Sequence, residues 1–296
     1  MRRAAVLAAI VIAGSIVTLV AQQPPSLPPI GPIQKVRNNL YVIPGQGGNT
    51  AVFVTRTGVV LVDSKLAGNG PAILDRVAAV SDVPVSMIVN THTHADHVGS
   101  NDFFSPSVEV VTQENTKANM AKMAEIKDSP NAMPDRTFRD RLTIGRGQDQ
   151  IDLYYFGAGH TNGDAVVVFP AVRAMHAGDL YAWKMAPLVD VENGGSASAY
   201  PETLGRAVKE LRNVDTVIPG HSDVTTWAAF VEYAEFIREL TTAAEGARRA
   251  GRSGEQPALP KLPSKFDAYI ADTTIPGLEF IGSGASLAKA FVAAIK

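Results

Sequence analysis

A single hexapeptide, His92-Thr93-His94-Ala95-Asp96-His97, restricts this chain more than any other stretch. It gathers four metal-binding side chains directly behind an apolar, strand-like run, Val85-Ser86-Met87-Ile88-Val89. Imidazole nitrogens and carboxylate oxygens are good ligands for divalent first-row metals, zinc above all. Successive side chains of extended backbone alternate in direction, so two histidines separated by one residue can aim their rings the same way where a buried strand ends. The spacing is that of a metal site rather than of a polar loop.

The other histidines extend the pattern. The chain has six, three of them in this hexapeptide, and the remainder are His160, His176 and His221. His160 lies in Gly157-Ala158-Gly159-His160-Thr161-Asn162-Gly163-Asp164, just past the run Ile151 to Phe156, and His221 lies in Pro219-Gly220-His221, just past Val214 to Ile218. Asp179, in Ala177-Gly178-Asp179, follows another apolar stretch. Four strand ends therefore supply candidate metal-binding side chains. His176 falls inside a strand and reads as a packing residue, or one that supports the ligands from behind.

Around these motifs the chain alternates strand and helix patterns. Leu40 to Ile43, Thr50 to Val54 and Val59 to Val62 read as a strand meander. Pro71 opens a helix with Ile73, Leu74, Val77 and Val80 on one face, the segment from Thr112 to Lys127 reads as helical, and Asp128 to Arg139 as a polar connection. Pro201 opens a further helix carrying Leu204, Val208 and Leu211, and a long helix follows with Trp227, Phe230, Val231, Ala234 and Ile237 as its apolar face. The pattern by itself establishes a mixed α/β chain.

The 296 residues fit one large layered domain with flanking segments. Residues 1–21, two arginines and then an apolar stretch ending at Ala21, have the form of a signal peptide, with an uncleaved N-terminal anchor as the alternative. Residues 22–36 form a Pro-rich linker, 37–250 the metal-binding domain, and 251–296 a linker and a C-terminal helix packing on the domain. The expected location is periplasmic or secreted. Without any cysteine, the chain has no disulfide, no thiolate ligand and no site for a lipoprotein anchor. A formal net charge of −2 leaves no basic footprint for nucleic acid, so the expected partner is a small-molecule substrate.

From about Leu40 to Leu240, the order His-x-His-x-Asp-His, Gly-His, Gly-Asp, Gly-His resembles that of the metallo-β-lactamase-fold hydrolases, a superfamily that includes glyoxalase II, lactonases and class B β-lactamases. The resemblance implies a four-layer αβ/βα sandwich with every ligand-bearing strand end at one edge. It implies two Zn2+ ions, with iron or manganese as substitutes. His92, His94 and His160 would hold one, Asp96, His97 and His221 the other, and Asp179 would bridge them. Two dications about 3.5–4 Å apart need anionic ligands between them, and water bound to such a pair ionises near neutrality.

The reading of function that follows is an exported dinuclear zinc hydrolase, in which a metal-bridging hydroxide attacks a β-lactam, lactone, ester or thioester carbonyl and Asp96 orients it and shuttles its proton. Asp179 separates the chain from those β-lactamases that place cysteine there. Tyr181, with Trp183 and Lys184, is expected near the mouth of the site, where a phenol or ammonium would bind a developing oxyanion or an acidic substrate group, with aromatic core packing and a solvated lysine as the alternative. Asp164 is either a turn residue or an orienting partner of His160. The Gly-rich segments Pro44 to Asn49 and Val191 to Ser196 read as mobile rims. The alternatives are an iron-dependent sulfur dioxygenase-like oxidoreductase and a non-catalytic metal-binding protein. Oligomeric state is left open.

Overall fold

The computed structural model describes residues 29–249, 261–275 and 279–295. The expected signal peptide, residues 22–28 of the Pro-rich linker and residues 251–260 lie outside the described residues. Among the described residues, no helix is long and apolar enough to cross a membrane.

Two sheets form the body. The first runs in chain order through β1 (Gln34–Arg37), β2 (Leu40–Ile43), β3 (Thr50–Val54), β4 (Val59–Val62), β5 (Val85–Val89), β6 (Glu109–Gln113) and β7 (Arg136–Phe138). It is antiparallel as far as β4 and parallel from β4 onward. The second comprises β8 (Arg141–Ile144), β9 (Ile151–Tyr155), β10 (Ala165–Phe169), β11 (Ala174–Gly178), β12 (Thr216–Pro219) and β13 (Thr225–Thr226), ordered β13-β12-β11-β10-β9-β8. The helices are α1 (Gly70–Ala78), α2 (Ala95–Val98), α3 (Glu114–Met120), α4 (Tyr200–Glu210), α5 (Trp227–Arg249) and α6 (Gly284–Ala293).

The strands read as continuous apolar runs because both faces are covered. Period-two alternation sorts each run: Phe53, Val60, Val62, Val89 and Val111 turn inward onto Leu153, Val167 and Phe169 of the other sheet. Their neighbours Val52, Leu61, Ile88 and Val110 turn outward onto Ile73 and Val77 of α1. On the far side, Val166, Val168, Met175 and Val217 pack beneath α4, α5 and α6. Helix, sheet, sheet and helix are thus the four layers of an αβ/βα sandwich.

Three helical expectations need correction. The stretch from Thr112 to Lys127 is helical only at α3, and β7 occupies part of the expected polar connection because it adds to the parallel edge beside β6. In α1, Leu74 is exposed while Ile73 and Val77 are buried. In α5 the buried stripe is Phe230, Tyr233, Phe236, Ile237 and Leu240, with Val231 turned outward. The C-terminal segment supplies the reason: Phe266 and Tyr269 lie with ring centroids 5.5 and 4.7 Å from Phe236, covering a second face of the helix.

Phe53 and Phe169, with centroids 4.9 Å apart, link the two sheets where neither side chain is exposed. Phe169→Ala is therefore expected to destabilise the protein by about 3–5 kcal/mol, the range for emptying an aromatic core position. Urea unfolding measures this, and a loss below about 1 kcal/mol would show that the inter-sheet layer refills without it.

Candidate metal centre

The chain places the site through four strand ends. Past β5, residues 90–93 stay irregular, His94 keeps extended backbone as the N-cap of α2, and the turn of α2 carries Asp96 and His97. His160 sits in the β9–β10 connection, Asp179 follows β11, and His221 follows β12. Gly178 has a φ of 51°, and a β-carbon there would meet Thr91 at 2.6–2.7 Å. Gly220 lies against the Asp179 carboxylate, where any side chain would collide. Both glycines are needed because backbone passes this close to the site.

The seven side chains singled out in the sequence converge. His92, His94, His160 and Asp179 form one group and Asp96, His97 and His221 another, the candidate ligand atoms of each lying within 4.8 Å of one another. Asp179 stands between them, with Oδ1 3.3 Å from His97 Nε2 and Oδ2 3.2 Å from His221 Nε2 and 3.7 Å from His160 Nε2.

The outer hydrogen bonds decide which ring nitrogens carry protons. His97 Nδ1–H donates to Asp63 Oδ2 at 2.7 Å, His94 Nε2–H to Asp190 Oδ2 at 2.7 Å and His160 Nδ1–H to the Leu188 carbonyl at 2.9 Å. The Thr91 hydroxyl gives its proton to Asp63, so its oxygen accepts from His92 Nδ1–H at 3.0 Å. Every one of these bonds leaves a lone pair facing the cluster. His94 Nδ1 and His160 Nε2 then confront each other as bare lone pairs at 2.9 Å, while the Nε2 atoms of His97 and His221 stand 3.2 Å apart. Opposed lone pairs repel unless a proton or a cation lies between them. Among the described residues, His92 Nε2 and Asp179 Oδ1 are buried with no hydrogen-bonding partner. An orphaned imidazole nitrogen and an orphaned carboxylate oxygen in one cluster are what a divalent cation satisfies, so the donor set fits zinc.

Electrostatics point the same way. Burial holds His92 well below the usual histidine range and His160 down at about 4, so both rings stay neutral with lone pairs available. Burial alone would lift the Asp179 carboxyl, but the adjacent His221 and His97 pull it well below the carboxylate range. Burial likewise disfavours the charged forms of His97 and His221, yet Asp179 and Asp96 outweigh it and raise both. The protons these two rings attract are those a bound metal displaces.

Several residues of the site escaped the sequence. Asp63, directly after β4, is completely buried and also accepts from Thr91 N at 2.7 Å. Asp190 accepts from His94 and from Asn193 Nδ2 at 2.6 Å. Lys65 is completely buried, its Nζ donating to the carbonyls of Ile43 and Gly48 at 2.7 and 2.9 Å. Asp63 carried one legible signal, a charged residue at the end of an all-buried strand. His176 behaves as read, donating from Nε2 to the Asn49 carbonyl and accepting from Gly178 N–H.

Other readings change. Tyr181 is not at the mouth of the site: it is completely buried beneath α5, its ring 5.7 Å from Phe230 and 4.6 Å from Tyr233, and its hydroxyl meets no partner among the described residues. The 3-10 turn at Asp179–Tyr181 rotates the phenol to the opposite face of the sheet from Asp179. Trp183 is buried too, its ring 5.7 Å from His221 and its Nε1–H given to the Ala186 carbonyl, while Lys184 is exposed. Asp164 does not orient His160; its oxygens accept from Thr161 N and Oγ1, closing the loop. Nor are the Gly-rich segments free rims. Gly48 N donates to the Asp96 carbonyl, Asn49 N to that of Gly220, and Asn162 N to that of Asn193.

A family model described as the Metallo-beta-lactamase superfamily matches residues 43–221, a span that contains all seven converging side chains. The chain belongs to the metallo-beta-lactamase superfamily. Metallo-beta-lactamase type 2 of Elizabethkingia meningoseptica is 26% identical over 219 residues, covering 70% of this chain and 85% of that relative. A metallo-beta-lactamase of Chryseobacterium indologenes is 23% identical over 199 residues, covering 64% of this chain and 80% of its own. Among solved structures, the metallo-beta-lactamase from Pontibacter korlensis shares the fold with a TM-score of 0.60 and 21% identity, over 70% of this chain and 98% of that one. The matched span thus includes the residues that carry the metal-binding geometry.

Two outcomes are expected. Asp190→Ala frees the His94 ring and should weaken metal binding by about 10–100-fold, the usual cost of losing a ligand's outer partner; competition with a chelator reads it, and wild-type affinity would show that Asp190 leaves the ring unaffected. Tyr181→Phe removes a buried hydroxyl that has no partner, so turnover should be unchanged and stability equal or higher by up to about 1 kcal/mol. A fall in kcat would return the phenol to the reaction.

Proposed function

We propose that this protein is an exported dinuclear zinc hydrolase that opens a carbonyl substrate, a β-lactam, lactone, ester or thioester. The observation that carries the reading is Asp179, buried between two groups of candidate ligand atoms, with ring nitrogens facing each other at 2.9 Å across the first and 3.2 Å across the second. His92, His94 and His160 would hold one zinc, Asp96, His97 and His221 the second, and Asp179 both. Names of the relatives support hydrolysis, and the form of residues 1–21 supports export. The iron-dependent alternative calls for a single metal group, whereas Asp96, His97 and His221 make the second group complete.

When bound, such a pair supplies Lewis acidity for a carbonyl and lowers the pKa of water towards about 7. The chain's own residues supply the rest. Asp63 and Asp190 keep His97 and His94 in the tautomers that direct a lone pair into the cluster, and the Leu188 carbonyl does so for His160. His94 and Asp96 keep side-chain exposures of 28% each, so the cluster opens to solvent along that side. Asp96 would take a proton from water and return it to the leaving group, a role its partial exposure supports. Leu188 and Val191 are exposed on either side of Asp190 and offer apolar contact to a substrate arriving over His94.

Metal analysis and a substrate screen test the reading together. Purified protein should carry about two zinc ions per chain, as two-metal sites of this chemistry do. It should hydrolyse at least one of nitrocefin, acyl thioesters, lactones or aryl esters, lose activity in a chelator and regain it with zinc, whereas turnover of phosphodiesters alone would overturn the carbonyl reading. His94→Ala should fold, bind less metal and show no turnover. One iron per chain with oxygen consumption, or turnover untouched by His94→Ala, would overturn it.

A further inference from the structure

Lys65 stands apart from the hydrolytic reading because it is a completely buried lysine beside the cluster whose Nζ donates to two backbone carbonyls rather than to a candidate ligand. Asp63 and Lys65 both adopt left-handed backbone, with φ of 65° and 64°. For residues other than glycine such conformations cost of order 1–2 kcal/mol each and persist only where the surroundings enforce them. The bend they make sends Asp63 to His97 and Lys65 the other way, toward the connection between β2 and β3. Between and behind them, Ser64 N donates to the His97 carbonyl at 2.7 Å and Leu66 N to that of Gln46 at 3.2 Å.

The acceptors of Lys65 are the two ends of one turn. Ile43 is the last residue of β2, and Gly48 is two residues before β3. The turn between them lies on the second group of ligands. A β-carbon on Gly47 would meet Asp96 at 2.6–2.8 Å, and one on Gly48 would overlap the His97 ring. Gly48 N donates to the Asp96 carbonyl at 3.0 Å. Asn49 then grips the His221 loop, donating from N to the Gly220 carbonyl at 2.6 Å and from Nδ2 to those of Pro219 and Ser222 at 2.9 and 2.8 Å. Hydrogen bonds and close approaches of this turn therefore reach Asp96, His97 and the strand end bearing His221. The three histidines of the first group are held by other partners, Thr91, Asp190 and Leu188.

We propose that Lys65 is a positioning residue for the second metal: by tying Ile43 to Gly48 it presses the turn onto Asp96, His97 and the His221 loop and so sets the affinity of that group alone. The inference rests on the dinuclear reading above. Burial pushes the Lys65 amine down to about 7 against the pull of Asp63 and Asp96. In its neutral form the amine has two N–H groups, which match the two carbonyls it meets.

Stepwise cobalt(II) titration of the metal-free full chain, followed by optical absorption and checked by bound-metal stoichiometry, tests this without any substrate. In Lys65→Met, which keeps the length of the side chain and removes its donors, the first equivalent should bind as in the wild type. The second should weaken by about 10–100-fold. Two equivalents binding as in the wild type, or both weakening alike, would overturn the proposal. If Lys65→Met does not fold, Lys65→Gln, which retains two donor protons on a shorter stem, should show the same selective loss to a smaller degree; equal loss at both sites there is equally fatal. A wild type that takes up one equivalent or none sinks the dinuclear reading itself, an outcome distinct from failure of the Lys65 variants.

Discussion

Burying the Asp179 carboxylate among imidazoles is the constraint on which this molecule turns. Carboxylates are almost never fully buried unless paired, because removing the charge from water costs several kcal/mol. Here the compensation comes from His97, His160 and His221, which belong to three different connections in the chain. None of these contacts is local, so the site exists only if the two sheets are in register at one edge. Gly178 and Gly220 are the concessions the backbone makes to let the strand ends come close enough.

The sandwich supplies that register with simple means. Alternation along β3, β4, β5 and β10 divides each strand between an inner layer shared by the sheets and an outer layer under helices. A slip of one residue would exchange the two faces of a strand and move the ligand at its end away from the cluster. Packing and metal-site geometry are therefore specified by the same pattern. His176 shows the coupling in one residue: it sits in the inner layer and its ring joins Asn49 at the start of β3 to Gly178 before Asp179.

Around the cluster lies a shell of partners whose common work is to decide protonation. Asp63, Asp190, Leu188 and Thr91 each take one ring proton and so leave the opposite nitrogen bare. Lone pairs facing one another at hydrogen-bond distance are a cost that the apo chain carries and a cation relieves, which couples metal binding to the stability of the site. Lys65 and the turn it closes extend that shell to the backbone, and the Asn162–Asn193 contact does the same on the other side.

The residues from His92 to His97, with His160, Asp179 and His221, were legible without coordinates because ligand chemistry restricts the residue types, and strand ends mark themselves as polar residues behind apolar runs. Mixed α/β character was legible from periodicity, and the four-layer arrangement from resemblance. The fate of Tyr181 was not, since one turn of 3-10 helix after Asp179 decides which face of the sheet a side chain meets. Nor was the buried stripe of α5, which depends on Phe266 and Tyr269 arriving from far along the chain. Lys65 and Asp190 are common residue types in ordinary-looking stretches, and what distinguishes them is only where their polar atoms end up. Sequence alone thus determined which groups are able to bind a metal, a matter of composition and local order. Tertiary structure decided which nitrogens keep their protons and which loops are held, because those depend on partners that only folding brings within about 3 Å.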